Sequence, residues 1–324
     1  MTGNWLSHPD EIEAQVAEWE QAYPEVLEVD SLRQFTGRPV FALTLTDRSI
    51  PAERKKKLLT FSPHAHEPAA TAACMNLVSQ LLTGRTIGGQ PTDLDREQIL
   101  REVLLTVIPD ANPDGTARAP VEAWDGTRYS NEEFWAWMRG IDPETGKMWK
   151  RVDLWDDREE SPLPTRYGIV YEPIDEHRYV EPNRHPLSSL MRLIKRYRER
   201  YTYDLLLDLH QTEFVNSPHN CMVILPCIFE ELPSAIQDQC RVYAQAIVRT
   251  WQVTEGASPQ TQIEPLGYTG QQREYFVNVW GDIYRNTPTL TVEIQNNNPR
   301  TPPALQQWLE EVATRTCLDL LRQG

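Results

Sequence analysis

The segment Lys57-Leu58-Leu59-Thr60-Phe61-Ser62-Pro63-His64-Ala65-His66-Glu67-Pro68 decides the fold, because it passes from a short aliphatic run into a stretch of helix formers that continues from 69 to 82. Proline suits the first position of a helix, where its missing N–H would have no partner anyway. Alanine, leucine and methionine then favour propagation. The pattern predicts a strand over 57–62 and a helix from Pro68, with His64 and Glu67 at the junction.

The same reading extends outward. Ile12, Val16 and Trp19 recur at helical spacing between acidic neighbours, and Pro24 stops that helix. Short β-branched or aliphatic runs at 27–32, 40–46, 102–108, 203–209, 221–225 and 289–294 predict strands. Helices are expected at 190–199, capped by Ser188 or Ser189, at 234–251 and at 304–321. Strands that alternate with helices favour an α/β fold with a parallel or mixed sheet covered on both faces. Ligands in such sheets gather at the carboxyl ends of strands, and both His64-Ala65-His66-Glu67 and Asp208-Leu209-His210 leave a strand at that end.

A chain of 324 residues is expected to form one domain over 1–324. Asn112-Pro113-Asp114-Gly115 suits a type I turn. Periodicity is lost from 116 to about 180, yet Trp124, Trp135, Trp137, Trp149 and Trp155 fall there. Disordered segments are poor in aromatics, so this stretch reads as a packed insertion that could wall a cleft. The formal net charge of −15 argues against nucleic acid as a partner, since phosphate-backbone binding needs a basic surface. No basic-then-apolar leader opens the chain and no run approaches a membrane span, so a cytoplasmic location is expected. Five scattered cysteines without a CxxC pair read as free thiols.

Two histidines and a carboxylate form a recurrent catalytic zinc set, which leaves a coordination position for water. His64, Glu67 and His210 supply those residue types, with His66 as an alternative to His64. Glu293 lies inside the apolar run Thr289-Leu290-Thr291-Val292-Glu293-Ile294. A buried unpaired carboxylate is costly there, so it needs a cation or a function, and beside an activated water it would be a general base.

Taken in order, these motifs resemble the zinc carboxypeptidases of the carboxypeptidase A and B type. The resemblance rests on Tyr23-Pro24, Gly37-Arg38-Pro39, the His64-to-Glu67 motif, Asn112-Pro113-Asp114-Gly115, Glu181-Pro182-Asn183-Arg184, Asp208-Leu209-His210 and the Glu293 strand. It implies a three-layer α/β/α fold around a mixed sheet of about eight strands. It also implies one zinc ion per chain on His64, Glu67 and His210, with Glu293 activating the metal-bound water. Asn183 and Arg184 would grip a substrate carboxylate, and Glu181, in place of the family's aspartate, would hold the first zinc histidine. Arg128 is expected to polarise the scissile carbonyl, with Arg118 as runner-up. Tyr268 is expected over the substrate, with Tyr275 second.

The implied reaction is hydrolysis of an amide bond next to a free carboxylate, in a peptide or a small carboxylate-bearing amide. Two alternatives are an N-acyl amino acid amidohydrolase of the aspartoacylase or succinylglutamate desuccinylase type, and a non-catalytic zinc- or peptide-binding protein. Oligomeric state and side-chain preference have no signal in the sequence.

Overall fold

The strand-to-helix junction forms where the sequence places it. The computed structural model describes residues 3–140, 153–159 and 168–323. Helix α1 (Pro9–Ala22) precedes the strands β1 (Leu27–Arg33) and β2 (Pro39–Leu45). Strand β3 (Lys56–Phe61) leads into α2 (Pro68–Thr83), and α3 (Arg96–Glu102) runs directly into β4 (Val103–Ile108). Two short helices follow, α4 (Pro113–Arg118) and α5 (Asn131–Arg139), with the small strands β5 (Trp155–Asp156), β6 (Glu172–Pro173) and β7 (Arg178–Val180). The remainder is α6 (Ser189–Arg200), β8 (Leu205–Thr212), β9 (Cys221–Leu225), α7 (Ser234–Gln252), β10 (Glu264–Pro265), α8 (Gly270–Asn286), β11 (Thr289–Gln295) and α9 (Pro303–Gln323).

Eight strands form one mixed sheet in the order β1-β2-β4-β3-β8-β11-β9-β10. At its centre β4, β3, β8 and β11 run parallel, while β1 and β2 pair antiparallel with their neighbours and β9 pairs antiparallel with β11 and parallel with β10. Every residue of β4, and β8 from Leu205 to Gln211, is buried. Strands buried on both faces need a helical layer on each side. Helix α9 lies against β3, β4 and β11 between α2 and α7, and the buried Trp251 of α7 donates to the Leu309 carbonyl at 3.0 Å. A second helical layer contains α6, which packs on β1 and β2, and α8, whose Trp280 stacks on Phe61 with ring centroids 5.9 Å apart.

The structure departs from the sequence reading between 112 and 180. Asn112-Pro113-Asp114-Gly115 opens α4 rather than standing as an isolated turn, with the Asn112 side chain accepting from the Gly115 N–H at 3.3 Å. The two outcomes share their opening, because the first central residue of a type I turn already has near-helical angles. Helix α5 was not expected at all. It starts at a reciprocal Ser130–Glu133 capping box and buries Phe134, Trp137 and Met138 at the i, i+3, i+4 spacing of one helix face. These side chains join Trp124, Trp155, Ile169, Val170 and Tyr171 in a second apolar cluster that reaches Ala65, between the two junction histidines. Trp149 lies outside the described residues. The five cysteines are free, four of them buried, and no described helix is long and apolar enough to cross a membrane.

Gly115 is where the insertion meets the junction. A Cβ there would stand 2.0 Å from the Ile169 carbonyl oxygen and 2.7 Å from the Ala65 Cβ. Overpacking of this kind costs about 1–3 kcal/mol. Gly115→Ala is therefore expected to lower the free energy of unfolding by that amount, read as a lower denaturant midpoint, and an unchanged midpoint would contradict this packing.

Candidate active site

Three neighbouring parallel strands deliver the polar residues to one end of the sheet. Phe61 of β3 is in register with Asp208 of β8, and His210 of β8 with Glu293 of β11. His64 follows three residues after Phe61, and Glu67 occupies the position before Pro68 that caps α2. His64, Glu67 and His210 are 6%, 3% and 6% exposed.

Their inward atoms converge. His64 Nδ1 lies 3.0 Å from Glu67 Oε1 and 3.1 Å from His210 Nδ1, and His210 Nδ1 lies 3.1 Å from Glu67 Oε2. The outward nitrogens are committed elsewhere. His64 Nε2 pairs with a Glu181 carboxylate oxygen, and His210 Nε2 lies 2.8 Å from Asp208 Oδ1. Asn183 Nδ2 donates to the other Asp208 oxygen at 3.0 Å. A carboxylate facing Nε2 fixes the proton there, which leaves both Nδ1 atoms as lone-pair donors aimed at each other and at a carboxylate. Three such donors repel unless a cation lies among them. Their separations match the roughly 3.3 Å edge expected for tetrahedral ligands about 2.0 Å from zinc. The donor set therefore fits the metal.

His66 also brings a ligand atom within 4.8 Å of His64 and Glu67, and its Nε2 is 3.3 Å from Glu67 Oε1. Two features set it apart from His64. Its Nδ1 makes no hydrogen bond within the described residues, so no partner fixes its ring, whereas Glu181 fixes His64. Burial also pushes the His66 imidazole down to about 4, against the pull of Glu67. Burial disfavours charge on His64 too, but Glu67 and Glu181 outweigh it and the net shift is upward.

Glu293 sits beside this set with Oε2 unpartnered within the described residues, deep in the protein yet still touched by solvent at the cleft floor. Burial pushes its carboxyl up to about 7, with His210 opposing the rise and Glu67 adding to it. A cation at the donor set would draw it down again.

One side of the same cleft is built for an anion. Arg184, 5% exposed, has Nε 3.0 Å from Glu181 Oε2 and donates through Nη2 to the Tyr268 hydroxyl at 3.2 Å. Its guanidinium carbon lies 5.6 Å from the Tyr268 ring centroid and 5.2 Å from that of Phe276. Nη1 has no hydrogen-bond partner within the described residues. Burial opposes ionisation of Glu181, but Arg184 and His64 hold its carboxyl down at about 2, so it stays charged between them.

The sequence-predicted residues divide clearly. His64, Glu67, Asn183, Arg184, His210, Tyr268 and Glu293 line one cleft, with Glu181 behind His64. Arg128 does not join them. It is exposed and lies over the Tyr129 ring at 5.5 Å. Arg118 donates to the Gly168 carbonyl and is also absent from the cleft lining, as is Tyr275. A second arginine beside Arg184 lines the cleft, Arg139, the last residue of α5, 6% exposed, with Nη1 unpartnered within the described residues. It was missed because α5 was missed. The Ser130-to-Glu133 capping pattern with apolar residues at 134, 137 and 138 was the available signal.

Comparisons with known proteins bear on the family and the fold. The zinc carboxypeptidase family model matches residues 12–287. No match was found among curated protein sequences. Among solved structures, a carboxypeptidase A from Helicoverpa armigera aligns with TM-score 0.59 at 16% identity, covering 98% of this chain and 75% of that one. A metallo-carboxypeptidase from Burkholderia cenocepacia aligns with TM-score 0.56 at 17% identity, covering 96% and 68%. Bovine thrombin-activatable fibrinolysis inhibitor aligns with TM-score 0.56 at 11% identity, covering 99% and 98%. At these identities the structural likeness speaks for the fold, and the family model speaks for descent: the chain belongs to the zinc carboxypeptidase family and is a metallopeptidase.

Proposed function

We propose that the chain, acting as one catalytic unit over 1–324, hydrolyses the amide bond next to a free carboxylate, with one zinc ion held by His64, Glu67 and His210. Bound zinc would polarise the scissile carbonyl and lower the pKa of water toward neutrality. Glu293 takes the proton of the attacking water and returns it to the leaving amine. Asn183 and Arg184 hold the substrate carboxylate, for which a guanidinium offers a planar fork. Tyr268, tied to Arg184, covers that end. Arg139, in place of Arg128, lines the cleft with an Nη1 that has no hydrogen-bond partner within the described residues, and it stabilises the carbonyl oxygen as it becomes anionic.

The observation that carries this reading is one cleft with two imidazole lone pairs, a carboxylate and a base at its floor and a buried guanidinium at its side. Peptides with free and amidated C-termini, followed by mass spectrometry, test it. Release of the terminal residue from the free peptides is expected. Cleavage confined to internal bonds, or none at all, would overturn the assignment.

Metal analysis of the purified chain is expected to find about one zinc per molecule. Dialysis against a chelator should remove both metal and activity, and zinc should restore both. Full activity in metal-depleted protein would refute the role of the donor set.

A further inference from the structure

Four acidic residues line the cleft within the described residues, and three are already engaged. Glu67 faces the histidines, Asp208 holds His210, and Glu293 stands beside them as the base. Glu213 has no part in that arrangement. It follows β8, three residues past His210, and its carboxylate is held in place by Trp135 of α5, whose Nε1–H donates to Oε1 at 3.1 Å, and by the Thr212 hydroxyl at 2.9 Å. The next residue, Phe214, has φ of +43°, a left-handed conformation that a phenylalanine adopts only at a cost. The reversal is pinned by Gln295 of β11, which donates to the Phe214 carbonyl at 3.4 Å. A strained backbone and a tryptophan N–H thus hold a carboxylate at the cleft wall.

Helix α5 sets the direction. Arg139 at its C-terminal end is close enough to Arg184 for each charge to act on the other. Trp135 lies four residues back, about 6 Å along the axis, and takes Glu213 with it. Arg184, Glu293, Trp135 and Glu213 all line one cleft, so a substrate anchored by its carboxylate on Arg184 with its scissile bond at Glu293 has Trp135 and Glu213 available to its acyl side. We propose that Glu213 is a specificity-determining residue that binds a cationic nitrogen on the acyl side of the scissile bond. Two sources share that chemistry: the free α-ammonium of a dipeptide and the side chain of a lysine or arginine preceding the terminal residue. An acyl group ending in a second carboxylate, as in an N-acyl acidic amide, would meet repulsion there.

This inference rests on the proposed orientation of substrate, and binding measured without turnover separates the two. Calorimetry on the zinc-loaded Glu293→Gln protein would compare Ala-Leu, N-acetyl-Ala-Leu and N-acetyl-Lys-Leu. A charge-assisted hydrogen bond is worth about tenfold or more, so at least one cationic ligand should bind about tenfold more tightly than N-acetyl-Ala-Leu. The ligand that does so names the source. Adding Glu213→Gln should bring that ratio close to one, and Glu213→Asp should restore part of it. A ratio near one with Glu213 intact, or one that survives Glu213→Gln, overturns this inference and leaves the carboxypeptidase reading standing. Failure of all three ligands to bind would overturn both.

Discussion

Glu293→Gln is expected to lower kcat by about 10²- to 10⁴-fold, the range that a positioned general base contributes, while zinc content and the unfolding midpoint stay near those of the unmodified chain. Glutamine keeps the size and the hydrogen-bonding edge of the side chain but cannot accept a proton. The structure supports a conservative effect on folding because, within the described residues, Glu293 Oε2 has no hydrogen-bond partner that the substitution would break. Glutamine also removes the cost of ionising a carboxyl that burial pushes up to about 7.

The pH dependence follows from the same group. The base works only when ionised, so kcat/KM should fall as pH drops through the Glu293 pKa. Without a cation that pKa sits near 7, and the positive charge at His64, Glu67 and His210 lowers it. The acid limb of the profile is therefore expected below pH 7 and should vanish from the residual activity of Glu293→Gln. An unshifted acid limb in that variant would assign the limb to another group.

The candidate ligand set was legible because it lies on long, strongly patterned elements. A strand ending at Phe61, a proline-started helix at Pro68 and the aliphatic run into His210 each fix the local backbone, and the parallel register brings their ends together. Glu293 was legible for the opposite reason, since a carboxylate inside Thr289–Gln295 contradicts its surroundings. Arg139 and Glu213 were hidden. Arg139 depends on a nine-residue helix, below the length at which a sequence period stands out from its neighbours. Glu213 depends on the turn from Phe214 to Ser217; Asn216, Ser217 and Pro218 announce a turn there, but not that it sets the preceding carboxylate against Trp135. Arg128 stands outside the cleft lining, over Tyr129 and exposed, because spacing along the chain says nothing about which way an irregular segment folds. Spacing to Glu67 already favoured His64 over His66, and the position of Glu181 against His64 Nε2, a contact between residues 117 positions apart, adds a reason that the sequence does not show.

Arg184→Ala is expected to reduce kcat/KM for peptides with a free C-terminal carboxylate by about 10²- to 10³-fold, since truncating one member of a buried hydrogen-bonded charge pair costs roughly 2–5 kcal/mol. Part of that cost arises within the protein. Glu181, 2% exposed, would keep the His64 Nε2–H against it but lose its cationic partner, and the Tyr268 hydroxyl would lose the hydrogen bond from Arg184 Nη2. The specificity readout isolates the remainder. C-terminally amidated peptides never use the guanidinium fork, so their slow turnover should change far less, and the ratio of free to amidated rates should collapse toward one. Arg184→Lys sharpens the comparison, because it restores a positive charge beside Glu181 without the two parallel N–H groups. It is expected to recover stability more fully than it recovers the carboxylate preference. Zinc content measured on the same samples shows whether His64 keeps its orientation once Glu181 is disturbed. An equal loss on free and amidated peptides, with zinc retained, would remove Arg184 from substrate recognition and leave it as a structural partner of Glu181.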